Sequence, residues 1–186
     1  MKKISLIAAI TLLVSTLSAD DMAIKQEGVK YIKMLGKELK TNLKAHMKAD
    51  PTGVSAMGFC ASKAEPITEE INAKLPKGVS VRRTALKTRS EKNSPDVTDI
   101  KVMEAYDEKA MVKKLDPKDI QVVEKDGVYR VYKPLLIGKA CMKCHGDEAK
   151  ISSEIKAVIT KVYPKDMAMN FKEGDFRGVI VSEITK

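Results

Sequence analysis

Cys141-Met142-Lys143-Cys144-His145 sets two thiols three residues apart, with an imidazole directly after the second. Thiols so spaced can form two thioethers to a haem while the histidine reaches its iron, the c-type attachment pattern. Two other chemistries share the Cys-x-x-Cys pair. A redox dithiol is one; a structural zinc site, in which Cys60 and His145 complete a Cys₃His set, is the other. A dithiol has no need of the histidine and usually opens a helix in a βαβ unit, for which there is no pattern here. Zinc would have to take the adjacent Cys144 and His145 at two corners of one tetrahedron, which is sterically awkward. One covalent haem c, with His145 as proximal iron ligand, is the expectation.

The opposite axial position needs its own donor. Cys60 is the leftover thiol among three cysteines, on a helix face shared with Met57, Ala64, Ile67 and Ile71. His46 falls on the inner edge of the preceding helix, three residues after Leu43. Met57, Met167 and Met169 are the thioether candidates, and periodicity leaves Cys60, His46 and the methionines open. Arg82, Arg83, Lys87 and Arg89 form a basic segment whose charges, the arginine forks above all, suit haem propionates. A strand with a solvated basic face accounts for the same residues.

Attachment of this kind happens outside the cytoplasmic membrane, and the N-terminus agrees. Lys2 and Lys3 precede an apolar run from Ile4 to Leu17, which has signal-peptide form and is shorter than the ~20 residues a spanning helix needs. Cleavage after Ala19 is expected. Leu17 is larger than the usual residue two places before a cut, so an uncut membrane anchor is the alternative. The expected organisation is a signal peptide over 1–19 and a single periplasmic domain over 20–186, a length suited to one core.

The net charge of +9 comes from 34 basic and 25 acidic residues interleaved along the chain. That spread lacks the aromatic-spaced basic patch of a nucleic-acid binder. A solvated basic surface follows, one that would also steer an acidic redox partner or approach anionic lipid. Nothing pairs a nucleophile with a base, so enzymatic turnover is not expected.

The elements that must position these residues are legible from periodicity. Ile32, Leu35, Leu39, Leu43 and Met47 predict an amphipathic helix over 22–48, ended by Asp50-Pro51-Thr52-Gly53. A second helix is predicted over 54–74. Val79 to Thr84 alternates as a strand, 87–97 reads as a loop, and Ile100 to Met111 as a short helix before Asp116-Pro117. Ile120 to Glu124 and Val128 to Tyr132 flank Lys125-Asp126-Gly127 as a hairpin whose second strand leads into the Cys141 motif. Ile151 to Val162 predicts a helix and Phe176 to Val181 a last strand. The fold class is α+β.

Several segments together resemble a family of exported bacterial haem c domains with a PAS-like fold, found alone or as sensory input in signalling proteins. They are Phe59-Cys60-Ala61-Ser62-Lys63-Ala64-Glu65-Pro66-Ile67, Val81 through Arg89 with Asn93-Ser94-Pro95, Tyr132-Lys133-Pro134-Leu135 and Cys141 through Gly146. Tyr163 through Ala168 and Gly174 through Gly178 complete the pattern. The resemblance implies a PAS-like antiparallel sheet flanked by helices, and Cys60 as the axial thiolate opposite His145. Ser90 where the family tends to have Asn, the missing tryptophan after Pro95 and Met169-Asn170 in place of Thr-Gly are departures in the pocket lining. Thiolate ligation would favour ferric iron and a low potential. The resemblance favours redox or diatomic-gas sensing, with NO or CO at the iron and a periplasmic signalling partner. The absence of an attached output segment favours an electron-transfer cytochrome with a periplasmic redox partner.

Overall fold

The computed structural model describes residues 19–186; the expected signal peptide, save Ala19, lies outside the described residues. Helix α1, Ala19–Ala49, carries Asp20 and Asp21 in its first turn and His46 and Lys48 in its last, both complementary to the helix dipole. Its buried stripe of Ile24, Tyr31, Ile32 and Leu35 lies against Val81, Val131, Ile180 and Ile184 of the sheet. Gly28 lets the helix settle that closely. A Cβ there would meet Val131 Cγ2, with Val131 Cβ at 2.6 Å and Ser182 Oγ at 2.7 Å.

The predicted second helix is two helices, α2 (Val54–Ser62) and α3 (Ala64–Asn72), broken at Lys63. Pro66 is the cause, because it has no N–H to offer the Ser62 carbonyl and its ring collides with that group in a continuous helix. Strand β1, Val79–Thr84, has the expected bounds. The 87–97 loop contains one 3₁₀ turn, and α4, Val97–Met111, starts before Ile100 because Asp96 and Asp99 form a capping box.

Strands β2 (Gln121–Lys125) and β3 (Val128–Leu136) make the hairpin. Its Asp126 and Gly127 have φ of 55° and 75°, the signs of a type I′ turn. A single turn, α5 (Met142–His145), holds the motif, α6 spans Ser153–Val162, and β4 runs Phe176–Thr185, past the predicted end at Val181. The sheet is antiparallel throughout, in the order β1-β4-β3-β2. With α1 and α3 on one face and α4 on the other, the fold is α+β as expected. A separate cluster of Met57, Ile151, Ile155 and Ile159 joins α2 to α6 and takes in Cys60 and Cys144.

Candidate cofactor site

The chain leaves β3 still paired. Ile137 N–H donates to Asp175 O at 2.9 Å and Gly174 N–H to Ile137 O at 2.8 Å, so the motif is delivered from a fixed edge. The α5 turn then lies against the segment before β4, where Phe171 N–H reaches His145 O at 2.9 Å and Asn170 N–H reaches Gly146 O at 2.8 Å.

His145 Nδ1 lies 2.7 Å from Ala168 O. A carbonyl can only accept, so Nδ1 carries the hydrogen and Nε2 keeps its lone pair, the tautomer an iron ligand needs. Burial, reinforced by Arg177 and Arg89, pushes the imidazole down to about 3. It stays neutral.

Arg89 braces this arrangement. Its Nη2 donates to Cys144 O at 2.6 Å and Ala168 O at 3.0 Å, Nε pairs with Asp166 at 3.2 Å, and Nη1 lies 3.6 Å from Met57 Sδ. Nε and Nη2 are committed to the protein, so Arg89, which also lines the cofactor cavity, serves as a strut beside the propionate role expected of it. Arg82 is redirected. Strand alternation turns it to the α4 face, where it binds Asp99 at 2.9 Å and Glu183 at 3.1 Å. Lys87 is exposed and lines a different cavity, its Nζ 5.5 Å from the Phe171 ring centroid.

Arg83, from the same segment, faces the α1 side. Its Nε is buried and has no hydrogen-bond partner. Burial lowers its basicity, offset in part by Cys60, Tyr163 and Glu65. Arg177, which sequence reasoning did not single out, is likewise depressed to about 10, by burial first and Arg89 second. Its only sequence signal was a basic residue inside an apolar strand.

These side chains converge on a cavity of about 320 Å³ lined by Cys60, Cys141, Cys144, His145, Arg83 and Arg177, with Met57, Lys44 and Lys48 also on its wall. The three cysteines are free thiols. Burial raises Cys144 to about 11 and also raises Cys60, where Arg83 and Arg89 pull the other way. Of the competing axial donors, His46 is off the cavity wall, stacked on Phe59 at 5.0 Å and bonded to Ser55 Oγ at 2.8 Å. Met167 is exposed and Met169 packs in the α2–α6 cluster. Met57 reaches the cavity, but its sulfur already faces Arg89. Among the described residues no group of three or more His, Cys, Asp or Glu side chains is set to hold a bare metal ion.

The donor set suits a flat, anionic, iron-bearing macrocycle: paired thiols, a neutral imidazole with its lone pair free, a third thiol, and an arginine nitrogen with nothing to bind. Fold and site thus define an α+β domain with an antiparallel sheet and a Cys/His-lined cavity at the end of β3. The chain belongs to the Tll0287-like family, whose model matches residues 11–185. The crystal structure of the cyanobacterial heme-protein Tll0287 has a similar fold, with a TM-score of 0.54 at 23% identity over 66% of this chain and 71% of that one. No curated protein matches. The family resemblance read from the sequence is borne out.

Proposed function

We propose that this protein binds one covalent haem c through Cys141 and Cys144, with His145 and Cys60 as axial ligands, and acts as an exported sensor of redox state or of a diatomic gas. The convergence of Cys60, Cys141, Cys144 and His145 on one cavity carries this reading. A family neighbour described as a heme-protein supports it. The bound iron would supply one-electron exchange and a position for NO or CO.

The protein's part is to fix the ligands. Ala168 O sets the His145 tautomer, and Arg89 ties Ala168 and Cys144 into one unit. Arg83 and Arg177 supply the positive charge for propionates. Cys60 sits on α2, anchored through the Tyr163 hydroxyl at 3.2 Å from Cys60 O, and its thiolate would lower the potential. No residue at the site is arranged as a nucleophile with its base, and turnover is not part of the proposal.

Electron transfer to an acidic periplasmic partner is the second reading, favoured by exposed Lys44 and Lys48 at the cavity wall. The test is a haem stain on a denaturing gel, followed by spectra and redox titration of wild type and Cys60→Ala. Covalent stain, a low-spin ferric spectrum with thiolate character and a rise in potential in the variant support the proposal. A variant with unchanged spectrum and potential removes Cys60 as ligand. Rapid exchange with a periplasmic cytochrome, without CO or NO binding, moves the function to electron transfer.

A further inference from the structure

A larger cavity, about 600 Å³, opens between the end of α4 and the 170–177 segment. Its lining carries three cations, Lys87, Lys113 and Arg177, and three carboxylates, Asp107, Glu173 and Asp175. Among the described residues, Lys87, Lys113, Asp107 and Glu173 form no ion pair with another side chain, and half-buried Arg177 donates Nη1 to Lys87 O at 2.9 Å with no carboxylate in ion-pair reach. Equal numbers of both signs disfavour a simple anion or cation. Leu86, Leu115 and Leu136 supply apolar wall.

The backbone at the rim points the same way. Lys113 has φ 57° and Asn170 φ 65°, both left-handed. Lys113 occupies the position after α4 where glycine usually closes a helix, with Lys114 N–H reaching back to Lys109 O at 2.8 Å. A lysine there is held against its backbone preference, as happens at ligand sites.

We propose that this cavity binds a small zwitterion, an α-amino acid with an apolar side chain. Lys87 and Lys113 take its carboxylate, Asp107 and Glu173 its ammonium group, and the leucines its side chain. The site adjoins the cofactor cavity through two residues. Arg177 lines both. Phe171 has Lys87 and Arg177 each 5.5 Å from its ring centroid, and it meets His145 edge-on at 6.3 Å and 84°. Occupancy therefore bears on the ring that packs against His145; the meaning of that link rests on the haem reading, whereas binding itself does not.

Calorimetric titration of the full chain with leucine, isocaproate (carboxylate only) and isoamylamine (ammonium only) tests the site. Saturable leucine binding is expected, at least about tenfold tighter than either single-charge probe, since one lost charged hydrogen bond is worth roughly that factor. Lys87→Glu should abolish it. Lys113→Gly should raise the thermal midpoint, because glycine suits the left-handed backbone, while weakening leucine severalfold; a higher midpoint at unchanged affinity makes Lys113 merely structural and overturns the assignment. No saturable heat from leucine, equal binding of isocaproate, or leucine binding that survives Lys87→Glu overturns the proposal. Phe171 and His145 ring resonances that stay still at saturation overturn the link between the cavities. A chain that binds leucine but no haem fails the haem reading alone, and one that holds haem but ignores leucine fails this proposal alone.

Discussion

Arg82 and Arg83 are neighbours on β1, face opposite sides of the sheet, and meet opposite treatment there. On the α4 side, Arg82 and Arg130 share Glu183 at 3.1 Å each, Arg130 also pairs with Asp96 at 2.5 Å, and fully buried Asp99 takes Arg82 and the Tyr132 hydroxyl at 2.9 Å each. On the α1 side, Arg83 Nε has no partner at all. A closed polar network rigidifies a fold, whereas a buried donor left open costs free energy until something binds it. Around Arg82 the polar groups are closed on one another and serve the structure; around Arg83 an open donor is left for a ligand.

The sharpest way to break this contrast is to compare Asp99→Ala with Arg83→Met in chemical denaturation. Asp99→Ala removes the buried carboxylate that ties Arg82 and the Tyr132 hydroxyl together and should cost about 3 kcal/mol, the lower end for a broken buried pair because Arg82 is 30% exposed and keeps Glu183. Arg83→Met should leave the haem-free fold within about 1 kcal/mol or stabilise it, while shifting the spectrum and potential of the loaded protein. Equal losses in the two variants would erase the distinction.

Gly28→Ala should cost about 1–3 kcal/mol by thermal melting, because the added methyl would enter space held by Val131 and Ser182. That loss belongs to the α1 face yet is steric, so it separates packing from polar strain. On the α4 face, burial holds the Tyr106 and Tyr132 phenols well above the usual value. The unfolded chain then ionises first. Stability should be full below about pH 10 and fall as pH rises from there toward the folded-state values, by up to ~1.4 kcal/mol per pH unit for each tyrosine. Denaturation midpoints between pH 9 and 11 for wild type and Tyr106→Phe check this, the variant showing the shallower slope. The smallest effect belongs to the exposed Lys92–Glu65 bridge, 3.0 Å long, where Lys92→Ala should leave the thermal midpoint essentially unchanged.

Local signals carried far in this chain. The strand over 79–84, the Asp126-Gly127 hairpin and the long first helix are written in alternation, turn chemistry and i, i+3, i+4 spacing, none of which needs distant partners. The break at Lys63 was also written locally, in Pro66, but the continuous apolar face over 57–71 masked it. The site was legible only in part. Cys141, Cys144 and His145 are adjacent in sequence and so declare themselves, and the lone Cys60 stood out by its oddness.

The basic segment shows where sequence stops. Arg82, Arg83, Lys87 and Arg89 look alike as a string, yet they end as a network member, an open donor, a cavity wall and a strut. By itself the sequence determined the chemistry available, namely two thiols and an imidazole at fixed spacing, and the elements that would carry them. Only the tertiary structure decided which cations stay free, that Arg177 joins the site from β4, and that His145 is held in the iron-ready tautomer by Ala168. Hydrogen-bond partners contributed by segments tens of residues apart leave no mark on local periodicity, because the folding of the whole chain brings them together.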